Sequence, residues 1–114
     1  MAEGKTKKLK LNKLQARTLA LLQELARHPE TGIRDEETGE VTIAQLPHAH
    51  GDHVHIGEFV VSSRDASGFD NEAVWVALER KGLAKANYPV SITLTPEGLA
   101  YETGLLAKAQ KSDH

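Results

Sequence analysis

Between Val90 and Glu97 the hydrophobic period changes once and abruptly, and that change constrains the fold more than any other stretch. Val90, Ile92 and Leu94 alternate with Ser91 and Thr93, the period-two pattern of a half-buried strand. Thr95-Pro96-Glu97 follows at once. A Thr cap, a Pro where the first turn needs no N–H, and an acid at the positive end of the helix dipole together open a helix. The chain must therefore combine strands with helices, and this last helix is expected to run to about Gln110.

The opposite end is helical by a different signal. Leu11, Leu14, Thr18, Leu21 and Leu25 recur at spacings of three and four, widened by Leu22 and Ala26, which predicts an amphipathic helix from about Asn12 to His28, stopped before Pro29. Glu37-Thr38-Gly39-Glu40 is turn chemistry that can close a short hairpin from Ile33. A β-rich stretch follows from Val41 to about Ser62. Asp70 or Asn71, or Ser67 with Asp70, can cap a helix over Asn71–Lys81, with Val74, Trp75 and Leu78 inward and Gly82 as its stop. Leu83–Asn87 and Val90–Thr95 read as two strands around the Asn87-Tyr88-Pro89 turn.

Size and composition limit what such a set of elements can do. At 114 residues the chain is expected to form one domain over 11–110 after a basic, disordered tail at 1–10. Apolar residues make up 39%, but only five are aromatic, so Leu, Val, Ile and Ala must fill the core. With no cysteine, disulfides, thiolate metal sites and cysteine nucleophiles are excluded. No apolar run approaches the roughly 20 residues that cross a bilayer, and the basic N-terminus lacks the apolar segment of a secretory signal. The expectation is a cytoplasmic protein with no membrane partner.

Charge is unevenly spread. Residues 1–17 carry six Lys and Arg against Glu3 alone, or +5; the net charge of −2 leaves −7 for the remainder. A basic arm on a mildly acidic body can touch phosphates or serve only as a solubilising tail.

The run from Asn71-Glu-Ala-Val-Trp-Val-Ala-Leu-Glu-Arg-Lys-Gly to Leu83, a short hairpin, and Leu94-Thr-Pro-Glu-Gly98 together resemble the winged-helix transcriptional regulators. In that family a helix ends in a Lys-Gly-Leu-like step, a two-stranded wing follows, and a Leu-Thr-x-x-Gly turn leads into the next helix. The match is close over about 71–98. The resemblance implies an α+β, winged-helix-like fold in the order helix, long β-hairpin arm, helix, wing hairpin, C-terminal helix. It also implies a non-enzymatic regulator that binds double-stranded DNA. Asn71, Arg80 and Lys81 of the second helix would face the groove, and Lys85 on the wing with Lys7 and Lys8 of the arm would meet phosphates. The sequence departs from the family before that helix, where Pro47, histidines and β-branched residues replace a short helix.

His48-Ala-His50-Gly-Asp52-His53 also matches, letter for letter, the H-x-H-x-D-H motif of metallo-β-lactamase-fold hydrolases. The further downstream His and Asp ligands and the length of that fold are missing, so no enzyme is expected. The spacing carries its own chemistry. A two-residue turn at Gly51-Asp52 would oppose His50 to His53 and His48 to His55, Ile43 to Val60 and Val41 to Ser62, with all four imidazoles on one face. His48, His50, Asp52, His53 and His55 are thus candidate ligands for zinc, nickel or copper, beside the alternatives of a pH-sensitive tip and a merely polar one. Tyr101, Leu105 and Leu106 on the last helix could form a homodimer contact or pack on their own domain.

Overall fold

A computed structural model of the chain describes residues 10–44, 46, 51–56 and 59–103. Within them an α+β arrangement of three α-helices and two antiparallel sheets encloses one core.

Helix α1 spans Lys13–Ala26. Asn12 is its cap rather than its first residue. The Asn12 side chain accepts from the Gln15 amide at 2.8 Å while Gln15 Oε1 accepts from the Asn12 amide at 3.1 Å, a reciprocal pair that satisfies two otherwise orphaned donors. Of the expected stripe, Thr18, Leu21, Leu22, Leu25 and Ala26 are buried and Leu11 and Leu14 are half-buried; Leu19, outside that stripe, is also buried. The helix closes at Arg27, and tight turns carry the chain past Pro29.

Strands β1 (Gly32–Arg34) and β2 (Val41–Ile43) form the short hairpin expected from the turn chemistry at 37–40. Asp35 O receives the Gly39 amide and Asp35 N donates to Glu40 O, both at 2.8 Å. β2 then pairs with β6 (Ser91–Leu94), and β6 with β5 (Ala84–Asn87), giving the order β1-β2-β6-β5. Parity sorts the two faces. Val41 opposite Leu94 and Ile43 opposite Ile92 all enter the core, while Thr42 and Thr93 share a hydroxyl hydrogen bond of 2.8 Å on the open face.

That pairing overturns the long β-arm. β3 (His53–Ile56) and β4 (Phe59–Ser62) make a separate two-stranded sheet with Ile56 opposite Phe59, so β3 turns back beyond its C-terminal end and not at Gly51-Asp52. Val41 and Ile43 find Leu94 and Ile92 instead of Ser62 and Val60. The physical reason is burial. Pairing β2 with β6 removes two complete rows of branched aliphatic side chains from water, whereas an arm would have covered only its underside.

A 3₁₀ turn at Ser67–Asp70 leads into α2 (Glu72–Arg80), which Asn71 caps by accepting from the Ala73 amide at 3.0 Å. Trp75 lies at the centre of the core at 0% exposure, with Val74 and Leu78 beside it. Its indole N–H donates to Gly68 O at 3.2 Å, and its ring meets Tyr88 edge-on at 4.8 Å. α2 ends where Gly82 N–H bonds Glu79 O, Leu83 N–H bonds Leu78 O, and Gly82 takes φ +77°, a backbone state that glycine adopts without a Cβ penalty.

Two further expectations are corrected. Val90 is 63% exposed, because its amide closes the turn onto Asn87 O at 2.7 Å and the strand begins one residue later. Helix α3 covers only Pro96–Ala100, and Tyr101 is already extended at φ −64°, ψ 130°. The cause lies on α1: the Gln23 side-chain amide donates to both Gly98 O and Tyr101 O, each at 2.8 Å, taking carbonyls that a longer helix would need for itself. Tyr101 is half-buried against the core and lies on no helical stripe, and Leu105 and Leu106 fall outside the described residues. Among the described residues no helix is long and apolar enough to cross a membrane.

Candidate functional site

Two groups of side chains have the chemistry to meet a partner. The first is α2 with the β5–β6 hairpin behind it. Burial of Val74, Trp75 and Leu78 turns Glu72, Ala73, Val76, Glu79 and Arg80 to solvent. A nine-residue helix is about 14 Å long, so Asn71 and Arg80 stand at opposite ends of this face. Asn71 spends its side-chain oxygen on the cap. Arg80 is exposed, and Lys81, the C-cap, is half-buried. Glu79 accepts from the Ala86 amide at 3.3 Å, tying the end of α2 to β5.

Lys85 is not an unengaged cation. Its Nζ sits 2.7 Å from Glu40 Oε2, and the hydrogen bond and charge of Glu40 raise the Lys85 pKa above the usual lysine value. The row Lys85, Thr93, Thr42 crosses the open face of the sheet and explains the meeting: Glu40, just before β2, approaches from the far side of β6. Arg80 and Lys81 are thus brought together, Asn71 stands apart, and Lys85 is neutralised. Lys7 and Lys8 lie outside the described residues.

The second group is the histidine strand. Val54 and Ile56 of β3 enter the core at 3% and 0% exposure, which forces His53 and His55 onto the opposite, half-exposed face. The one-face placement expected for these two histidines holds although the partner strand differs. His53 stands opposite Ser62, and His55 opposite Val60. Their rings meet edge to face with centroids 5.0 Å apart and planes at 81°. Asp52, fully exposed, brings Oδ1 to 3.4 Å from His53 Nδ1. His48 and His50 lie outside the described residues. Among the described residues no three imidazole and carboxylate groups converge on a common point.

Sequence reasoning missed a third cluster. Glu24 is wholly buried in the middle of the leucine stripe, with Oε1 2.7 Å from an Arg27 guanidinium nitrogen and Oε2 2.8 Å from His28 Nε2. The i, i+3, i+4 spacing of the three residues was the available signal. Both carboxylate oxygens are occupied by neighbours on the same chain segment, so the cluster reads as an internal brace for the end of α1 and not as an open site.

No protein-family model matches this chain, and neither a curated protein nor a solved structure matches it.

Proposed function

We propose that the chain is a non-enzymatic, winged-helix-like binding protein that engages double-stranded DNA as a small regulator. The observation that carries this reading is the direct succession of α2 and a two-stranded hairpin, locked at both junctions. Gly82 stops the helix, Thr95 opens the next one, and the Thr95 hydroxyl donates to Gly82 O at 2.7 Å, so helix and hairpin keep one fixed relation. A rigid helix presented beside a wing is the arrangement that lets a helix enter a groove while the wing meets the backbone.

The contacts on this reading are unequal. Lys7 and Lys8 supply a sequence-independent hold on phosphates, Arg80 and Lys81 extend it at the end of α2, and Asn71 contributes little beyond its cap. Lys85 reaches a phosphate by exchanging its Glu40 partner. Ala73 and Val76 offer apolar contact to the groove.

The test is binding of the purified chain to generic duplex DNA across a salt series. Affinity should fall linearly on logarithmic axes, and neutralising Lys7, Lys8 or Arg80 should each reduce the slope by about one. Binding that ignores salt, or none at low salt, sinks the proposal.

A second reading, a protein-interaction module, is favoured by one feature: the solvent face of α2 sets Glu72 and Glu79 with Arg80 around Ala73 and a 38% exposed Val76, a mixed surface with one more acid than base. A Val76→Glu substitution that leaves DNA affinity intact but abolishes a pulled-down complex would decide for it.

A further inference from the structure

We infer that the exposed face of α2 is a self-association surface, on which a second copy of this chain docks antiparallel about a two-fold axis at Val76.

Among the described residues, Val76 is the one large apolar side chain that a helix leaves exposed, at 38%. Glu72 lies four residues before it and Arg80 four residues after it, so the three share one ridge of the helix. Both charged residues are exposed, and they stand about 12 Å apart along the axis, too far to pair with each other. Laying two copies antiparallel with Val76 on Val76 brings Glu72 of each copy against Arg80 of the other. The face is therefore complementary to itself, which is what an isologous two-fold contact requires. A parallel arrangement would oppose like charges, so the two ion pairs also fix the sense of docking.

The remaining groups on the face fit this contact. Ala73 lies beside the ridge and is small enough to let two helix axes approach. Glu79, which would meet it, already accepts from the Ala86 amide at 3.3 Å. Asn71 is occupied as the cap, and Lys81 at the far end is half-buried. The Gly82 stop and the Thr95 hydroxyl hold the helix against the hairpin, so the face is formed before a partner arrives. A nine-residue helix is about 14 Å long, so the contact is smaller than a standard interface and association is weak and concentration-dependent. A paired chain cannot also offer α2 to a groove; that consequence alone rests on the nucleic-acid reading.

Sedimentation equilibrium of the full chain without DNA, from micromolar to millimolar concentration, tests the surface. A monomer–dimer equilibrium that weakens with salt is expected. Glu72→Arg and Arg80→Glu each turn two attractive pairs per dimer into two repulsive ones, and each should weaken association about fivefold or more. Mixed together, the two single variants should associate with each other about as tightly as the unsubstituted chain does with itself. Each reversal also opposes the helix dipole, and mixing leaves that penalty in place, so recovery reads the charge pairing alone. A chain that stays monomeric at millimolar concentration, or a mixture as weak as either variant by itself, overturns the inference. With no DNA present, neither result bears on the nucleic-acid reading, which keeps its own salt-series test.

Discussion

The hydroxyl of Thr95 donates to the carbonyl of Gly82 at 2.7 Å and accepts from the amide of Gly98 at 3.0 Å, so one side chain joins the end of α2 to the start of α3. The Thr95 amide adds a bond to Leu83 O at 3.1 Å, and Gly98 lies so close to Leu83 that a Cβ there would collide with the Leu83 carbonyl oxygen. The Lys-Gly-Leu and Leu-Thr-Pro-Glu-Gly segments that carry the winged-helix resemblance are therefore two halves of one lock. Thr95→Ala should lower stability by about 1–2 kcal/mol through loss of the cap and the bond to Gly82. Gly98→Ala should cost about 3 kcal/mol, because the backbone must move to admit a methyl group. Denaturant midpoints rank the two.

A second close approach is testable as a coupling. Thr18, inside α1 at 1% exposure, abuts Gly68 so tightly that a Cβ on Gly68 would collide with its hydroxyl, and that hydroxyl has no hydrogen-bond partner among the described residues. Gly68→Ala alone should destabilise by about 2–3 kcal/mol. In a Thr18→Ala background the cost should fall by about 1 kcal/mol or more, a favourable interaction energy that a double-mutant cycle reads directly. Strict additivity would refute the steric account.

The buried Glu24 gives an asymmetric prediction. Replacing it with Met removes a desolvated charge together with the need for partners, and should change stability by no more than about 1 kcal/mol. Removing both partners, Arg27→Ala with His28→Ala, leaves the carboxylate buried and uncompensated and should cost about 3 kcal/mol. Urea unfolding of the two variants side by side distinguishes a brace from a bystander.

Lys85 and Glu40 link stability to alkaline pH and to the proposed DNA contact. The folded-state pKa of Lys85 is raised above the ordinary 10.5 by the hydrogen bond and charge of Glu40, so the pair's contribution is complete below that value and is lost as pH rises through the raised pKa. Glu40→Gln should remove this high-pH loss, as seen by thermal unfolding between pH 9 and about pH 12. The same substitution releases Lys85, and on the DNA-binding proposal it should tighten binding and steepen the salt slope by about one.

Local signals were read well, and pairings between distant segments were not. The glycine stop after α2, the Thr95-Pro96 start and the alternation of His53 and His55 with Val54 and Ile56 are all decided within a few residues, so the sequence displays them. Whether Val41 pairs with Leu94 or with Ser62 depends on which arrangement buries more apolar surface in the whole molecule, and either is compatible with the local pattern. The early end of α3 has the same origin, since nothing near Tyr101 announces that Gln23 will take its carbonyl. Burial of Glu24 likewise reverses the usual preference of its residue type, and only the neighbours it gains at 27 and 28 make that tolerable.

The placement of β2 has a consequence for the order in which the chain can assemble. β2 joins β1 through a local turn, but its other edge waits for β6, and the Thr42–Thr93 bond spans 51 residues. Gln23 waits longer still, for carbonyls 75 and 78 positions away. Closing loops of that length loses entropy before the contacts repay it. On the ribosome, α1 can meet β2, the 3₁₀ turn and α2 first, but the core rows that β6 closes stay open until Ser91–Leu94 has emerged, and truncation before Ser91 should leave an aggregation-prone fragment instead of a smaller folded unit.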